Sequence, residues 1–336
     1  MEKLAIGING FGRIGRTLFR LLQNNPDIQV KLINDPADHV TLAHLLKYDS
    51  IHGVYPGEVE AVEGGIEVDG RFVAVTAHNH PKDIPWSQYK VPIVVESSGK
   101  FKTKSELAFH LENGASKVIL SVPPADDSIK MLVYGVNEDS LAPEDQIISN
   151  ASCTTNNAAP MLKVMHDNFE VEQAYITTIH SYTTDQSLHD QPHRDLRRAR
   201  AASQSIVPTT TGAAKALTKI FPDLANVIGG CGIRVPVPNG SLTDITLNIK
   251  KETSIQEIND TFKRISENEL KNILFYTKDP IVSIDINNSC YSCTFDSQMT
   301  SVIGKMVKII GWYDNETGYS SRIIDLITLL INKKYV

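Results

Sequence analysis

Apolar residues come in short, closely spaced runs up to about residue 150 and in longer alternating stretches beyond it. Lys3–Ile8 and Ile28–Ile33 are runs of the length that fills a buried strand, and between them Arg16–Leu22 carries its apolar positions at helical spacing. The rhythm resumes with strand-like runs at Val91–Ser97, Lys117–Val122 and Met131–Val136, and with a helical stretch at Lys104–Gly114. Gly-Gly and Asp-Gly turns break Gly53–Ala77 into shorter pieces, which predicts antiparallel strands there. Strands alternating with helices predict an α/β domain over residues 1–150, built on a doubly wound, mostly parallel sheet.

After Asn150 the pattern changes. Gln173–His180, Ile228–Val235, Leu242–Lys250, Ile281–Ile286 and Ser301–Trp312 read as longer strands, with Ser254–Glu267 as an amphipathic helix among them. This predicts an α+β domain over residues 151–315 with a mixed or antiparallel sheet. A final helix, Glu316–Lys333, is long and apolar enough to pack back on the first domain. A length of 336 residues fits two domains, and 41% hydrophobic residues supply their cores.

Composition narrows the function classes. No run approaches the ~18 apolar residues of a membrane span, and residues 1–25 lack an apolar signal region, so a cytoplasmic protein with no membrane partner is expected. The four cysteines are too few and too irregular for a disulfide framework. Cys290-x-x-Cys293 has no second ligand pair, so no metal is expected. Arg197, Arg198 and Arg200 form a basic cluster, but a net charge of −6 and the lack of interleaved aromatics argue against a specific nucleic-acid partner.

Gly10-x-Gly12-x-x-Gly15 follows the first strand and opens the first helix. Glycines there allow a tight turn and a close backbone approach, so a pyrophosphate can rest on the helix N-terminus, the mark of a Rossmann-type domain. Asp35 stands 20 residues past Gly15, at the end of the second strand. A carboxylate in that place bonds the adenosine ribose hydroxyls and repels a 2′-phosphate, favouring NAD over NADP. Before Pro36 it also reads as a turn residue. Ser97–Gly99 and Ser121–Pro124, at the carboxyl ends of strands, are placed to line the same site.

In Ala151-Ser-Cys-Thr-Thr-Asn-Asn-Ala-Ala-Pro160, Cys153 sits among hydroxyl residues at the start of an apolar helix. With Ser152 as its cap, first-turn N–H groups and the helix dipole favour a thiolate and can receive an oxyanion. The same cysteine also reads as a small core residue. His180 follows 27 residues later near the end of a strand, and a cysteine and histidine close in space make a nucleophile and its base. Arg198, followed by Pro208-Thr-Thr-Thr-Gly-Ala-Ala-Lys215, reads as an anion pocket. Arg234 lies in an apolar strand and asks for an anionic partner. Both arginines also read as interdomain or subunit salt bridges.

Along essentially its whole length the chain resembles the phosphorylating glyceraldehyde-3-phosphate dehydrogenases. The resemblance rests on Ile8-Asn-Gly-Phe-Gly-Arg-Ile-Gly-Arg16, Ala151-Ser-Cys-Thr-Thr-Asn156, His180-Ser-Tyr-Thr183, Asp195-Leu-Arg-Arg-Ala-Arg-Ala-Ala202, Thr211-Gly-Ala-Ala-Lys215, Arg234-Val-Pro-Val-Pro238 and Trp312-Tyr-Asp-Asn-Glu316. It implies that Cys153 attacks the aldehyde of glyceraldehyde 3-phosphate, with His180 as base, and that inorganic phosphate releases the resulting thioester as 1,3-bisphosphoglycerate. Thr183 and Arg234, with Asp185 nearby, match the substrate-phosphate site. Ser152, Thr154, Arg198, Thr211 and Gly212 match the attacking-phosphate site. Arg13 and Ile14 would lie on the pyrophosphate, Asp35 on the ribose, Ser121 on the adenosine side and Asn315 on the nicotinamide amide. A homotetramer is implied as well.

The chain departs from the family pattern in places. Asn157 stands where a second cysteine is usual, Thr317 where a tryptophan is usual, and no clear basic residue marks the neighbourhood of Asn79. Two alternatives stay open: an erythrose-4-phosphate dehydrogenase, and a non-catalytic NAD- or RNA-binding paralogue.

Overall fold

Ile6, Ile8, Leu32, Ile33, Val94, Val95, Val118 and Ile119 are buried to the last atom, because a parallel sheet covers its strands on both faces. The computed structural model describes residues 3–336, which divide into two compact units. One comprises the chain through Leu132 with Asp139–Ala151 and Ser320–Val336, the other Val133–Glu138 with Ser152–Tyr319. The helices are α1 (Arg13–Leu22), α2 (His39–Lys47), α3 (Lys104–Glu112), α4 (Cys153–Phe169), α5 (Ala213–Ile220), α6 (Ile255–Glu267) and α7 (Thr317–Asn332). Among the described residues no helix is long and apolar enough to cross a membrane.

Across the sheet of the first unit the strands run Lys130–Met131, Ile147–Ser149, Lys117–Leu120, Ile93–Glu96, Leu4–Asn9, Ile28–Asn34, Arg71–Thr76, Gly65–Val68 and Val59–Val62. All neighbours are parallel except the last three strands, which form an antiparallel meander. The chain winds outward in both directions from Leu4–Asn9. Asn9 and Glu96 therefore end the two strands where the winding reverses, the position at which such sheets bind ligands.

The second unit carries a mixed sheet, in the order Val207–Thr209, Ile228–Val235, Val171–Ser181, Ser241–Ile249, Met306–Tyr313, Cys293–Asp296 and Leu274–Thr277. Its register sets His180 beside Arg234 across a parallel pair, and Arg234 beside Val207 across an antiparallel one.

Three sequence expectations fail locally. Of Met131–Val136 only the start is strand, since Asn137 Oδ1 accepts the Val133 N–H at 2.7 Å and Gly135 turns left-handed at φ +84. Ile281–Ile286 is not a strand either: Asp285 accepts the Val282 N–H at 2.8 Å and closes the short 3-10 helix Ser283–Ile286. Ser301–Trp312 is a hairpin rather than one strand, turning at Gly304 between Ser301–Ile303 and Met306–Tyr313.

Candidate active site

Ser152 caps α4 as its sequence suggests, its Oγ accepting the Thr155 N–H at 3.1 Å from an extended backbone. The preceding Ala151 holds φ +54, a left-handed conformation that costs a residue with a Cβ and marks a constrained turn. Cys153 is thereby fixed as the first helical residue, with its own N–H and that of Thr154 bearing on the sulfur. Cys153 Sγ lies 3.3 Å from His180 Nε2. On the other nitrogen, His180 Nδ1 is 2.7 Å from the Ser181 carbonyl and 2.7 Å from Arg234 Nη1, which itself donates to that carbonyl at 3.0 Å. With Arg234 Nη1 donating to the Ser181 carbonyl and not to the ring, a proton on Nδ1 given to that same oxygen leaves the Nε2 lone pair facing the thiol, the tautomer a base requires.

Burial pushes the Cys153 thiol up, against the lowering effect of Arg234 and the helix-start N–H groups. Burial and the charge of Arg234 bring His180 down to about 3. Desolvation thus outweighs the helix-start effect that favours a thiolate, and the resting pair is a thiol beside a neutral imidazole.

Arg198 also bears on His180 and Arg234. It is ion-paired to Asp185 and, at 3.4 Å, to Asp195. Burial raises the Asp185 carboxyl, but the hydrogen bond and charge of Arg198 outweigh it and hold the group below its usual range. Thr211 Oγ1 accepts the Ala213 N–H at 3.2 Å beside exposed Gly212, where α5 begins without a side-chain cap. The Thr154 hydroxyl turns inward to Tyr313 (2.9 Å), so what Thr154 offers an anion is its backbone N–H. Tyr313 and Ser181 were not apparent from sequence. The Tyr313 hydroxyl bridges Thr154 and Thr178 (3.0 Å), and its ring meets His180 edge-on at 5.9 Å. Asn315 Oδ1 accepts from Ser181 Oγ (2.9 Å) and Ser241 Oγ (3.1 Å), which fixes the direction of its amide NH2.

In the first unit each glycine of the fingerprint has its own reason. Gly10 takes φ +93, and a Cβ there would lie 2.4 Å from the Ser98 nitrogen; a Cβ on Gly15 would lie 2.3 Å from the Gly10 oxygen. Gly12 faces open space at the uncapped start of α1, leaving backbone N–H groups for a pyrophosphate. Asp35 accepts the Phe11 N–H at 2.7 Å and the Ala37 N–H at 2.9 Å, holding the glycine turn against the second strand. These residues fit an NAD. The Arg13 side chain, by contrast, is bound to Asp49 at 2.5 Å. Burial raises that carboxyl, but Arg13 and the N–H groups of His52 and Ile51 carry it down to about 2. Arg13 and half-buried Ile14 therefore present backbone rather than charge. The Ser121 N–H is bound to the Glu96 oxygen at 2.9 Å.

Residues 4–104 match the family model of the glyceraldehyde 3-phosphate dehydrogenase NAD binding domain, and residues 152–315 match that of its C-terminal domain. The chain belongs to the glyceraldehyde-3-phosphate dehydrogenase family. It is 49% identical over 330 residues to the glyceraldehyde-3-phosphate dehydrogenase of Geobacillus stearothermophilus, covering 98% of each chain. It is 50% identical over 333 residues to glyceraldehyde-3-phosphate dehydrogenase 2 of Streptomyces avermitilis, covering 98% of this chain and 99% of the relative. The Thermotoga maritima glyceraldehyde-3-phosphate dehydrogenase is 49% identical over 329 residues, 97% of this chain and 98% of its own.

Within the glyceraldehyde-3-phosphate dehydrogenase family pattern, Asn157 now has an account. It is fully buried and its Nδ2 donates to the carbonyls of Ser292 (3.3 Å), just before the strand Cys293–Asp296, and of Trp312 (3.2 Å), within Met306–Tyr313, tying α4 to both as a thiol could not. None of the four cysteines forms a disulfide.

Proposed function

We infer that the chain oxidises and phosphorylates D-glyceraldehyde 3-phosphate to 1,3-bisphosphoglycerate with reduction of NAD, the glycolytic reaction. The observation that carries this is the thiol–imidazole contact at 3.3 Å, with Arg234 against the other side of the ring.

His180 takes the thiol proton as Cys153 Sγ bonds to the aldehyde carbon, and returns it to the oxyanion, which the Cys153 and Thr154 N–H groups receive. His180 then removes the hydroxyl proton of this hemithioacetal and passes it to solvent. NAD, when bound, supplies the acceptor for the hydride that leaves the same carbon. The thioester on Cys153 is opened by inorganic phosphate: a carbon–oxygen bond forms, the carbon–sulfur bond breaks, and the phosphate's proton restores the thiol through His180. The neutral resting state of His180 suits it to each acceptance.

Arg234 and Thr183, with Asp185, are assigned to the substrate phosphate, and Ser152, Thr154, Arg198, Thr211 and Gly212 to the attacking phosphate. Gly10, Gly12, Arg13 and Ile14 are assigned to the pyrophosphate, Asp35 to the ribose, Ser121 to the adenosine side and Asn315 to the nicotinamide amide. We further assign the residues through Asn150 to NAD binding, residues 151–315 to catalysis, and the work of the protein to the cytoplasm. A homotetramer is supported by exposed Tyr175, Leu188, Leu196 and Ile206 of the second unit, apolar side chains that a second copy would cover.

The test is NADH formation from glyceraldehyde 3-phosphate and NAD, with and without inorganic phosphate. Many turnovers that require phosphate are expected, and Cys153→Ala abolishes them while keeping NAD binding. A stoichiometric burst with no phosphate-dependent turnover would instead favour erythrose 4-phosphate as substrate and water as acceptor.

A further inference from the structure

Glu96 takes no part in the chemistry above, yet it is fully buried at the carboxyl end of Ile93–Glu96, where the strand order reverses. Its Oε1 accepts from the Ser98 N–H (2.9 Å) and Oγ–H (2.5 Å). Its Oε2 accepts from Asn9 Nδ2 (2.5 Å) and His110 Nε2 (3.0 Å). His110, also fully buried, accepts the Trp86 indole N–H on Nδ1 at 2.9 Å, which fixes its proton on Nε2. Every group facing the carboxylate is thus a donor, and four acceptor directions meet four hydrogens.

The network continues toward the glycine turn. Asn9 Oδ1 accepts from Asn34 Nδ2 (2.8 Å), and the Asn34 carbonyl accepts the Gly10 N–H (2.8 Å). Ser97 Oγ donates to the Gly10 oxygen (2.7 Å), and the α-carbon of Gly10 rests so close to Ser98 that no Cβ fits. Glu96 therefore joins the ends of neighbouring strands to the turn that would receive the pyrophosphate.

We propose that Glu96 is a positioning residue for NAD: its four-donor carboxylate holds Asn9 and Ser98, and through them the Gly10–Gly12 turn, in the conformation that binds the cofactor. This rests on the NAD reading given above. It acts on affinity and leaves the chemistry at Cys153 alone.

Glu96→Gln keeps the shape but replaces one acceptor by an NH2 that must face a donor in either orientation. His110 cannot yield, because a proton moved to Nδ1 would meet the indole N–H, and the Ser98 backbone N–H cannot become an acceptor. The control is Trp86→Phe, which removes the indole N–H at the far end of the network and leaves the Asn9 and Ser98 contacts with the carboxylate in place. NAD binding is read by calorimetry, thermal midpoint by calorimetric scan, and amide exchange at Ser98 in the NAD-free protein.

For Glu96→Gln a rise in Kd of tenfold or more is expected, with faster exchange at Ser98, kcat at saturating NAD within twofold, and unchanged iodoacetamide labelling of Cys153 without NAD. Trp86→Phe should lower the midpoint yet keep Kd within twofold. Should Glu96→Gln fold poorly, Ser98→Ala, which removes one of the four donors, should raise Kd severalfold. Wild-type affinity in Glu96→Gln overturns the proposal, or in Ser98→Ala where that variant stands in for it. An equal loss of affinity in Trp86→Phe also overturns it, since Glu96 would then only stabilise the unit. Wild-type protein that binds no NAD defeats the cofactor reading itself, and is seen before any variant is made.

Discussion

Arg234 Nη1 lies 2.7 Å from His180 Nδ1, the ring nitrogen that does not face Cys153. Burial, reinforced by that fixed positive charge, brings the imidazole from 6.5 to about 3. Between those values the unfolded chain holds one proton more than the folded chain, so stability rises with pH across that window. The contribution of neutral His180 is whole above about pH 6.5, erodes on acidification and is gone near pH 3. Comparing the unfolding free energies of wild type and His180→Asn should show a constant difference near pH 7 to 8. That difference should shift by about 3 kcal/mol against wild type on descending to pH 4. A difference independent of pH would mean that His180 titrates normally in the fold.

Asp35 has two tasks that separate by substitution. Its carboxylate accepts the Phe11 N–H at 2.7 Å, which shapes the glycine turn, and its charge repels a 2′-phosphate. Asp35→Asn keeps an acceptor for Phe11 and removes the charge, so the ratio of NADP to NAD affinity should rise about tenfold while NAD binding weakens little. Asp35→Ala should raise the same ratio and also weaken NAD itself. Unchanged discrimination in both variants would remove Asp35 from the ribose site.

Tyr313 joins α4 to the strand that carries His180 by one hydroxyl, bonded to Thr154 at 2.9 Å and Thr178 at 3.0 Å. Burial raises its phenol, so it holds its proton throughout the working range. Tyr313→Phe leaves two threonine hydroxyls short of a partner at a cost of about 1–2 kcal/mol. It should lower kcat severalfold with NAD affinity unchanged, because the thiol and imidazole lose a shared strut. A parallel fall in NAD affinity would indicate a global loss of structure instead.

Local chemistry was legible in the sequence and tertiary context was not. Gly10, Gly12 and Gly15 and the Ser152 cap declare themselves within a few residues, because turn conformation and capping are properties of short segments. The protonation of Cys153 is different. The helix start that favours a thiolate is local, whereas the desolvation that overrides it depends on everything packed around the sulfur. Alternation misled at Ile281–Ile286, where Val282 and Ile284 are 56% and 64% exposed and face away from the core. Tyr313 and Thr178 are 135 residues apart, and no spacing rule joins them.

Asp314 shows how such a contact supports both fold and site. It is 1% exposed, and its two oxygens accept four donors: Asn239 Nδ2 at 2.9 Å, and the N–H groups of Asn288, Glu316 and Thr317 at 2.8 Å. Two of these begin the turn into α7, and the next residue is Asn315, whose amide is held on Ser181 and Ser241. Asp314→Ala deprives four donors of the buried carboxylate that they share, a loss on the order of 3 kcal/mol. Because Asn315 shares the turn, activity should fall more than stability alone explains. At a temperature where the variant is still folded by circular dichroism, KM for NAD should rise while alkylation of Cys153 without NAD proceeds at the wild-type rate. A stable variant with unaltered KM would leave Asp314 as a helix cap alone and detach the Asn315 amide from the nicotinamide site.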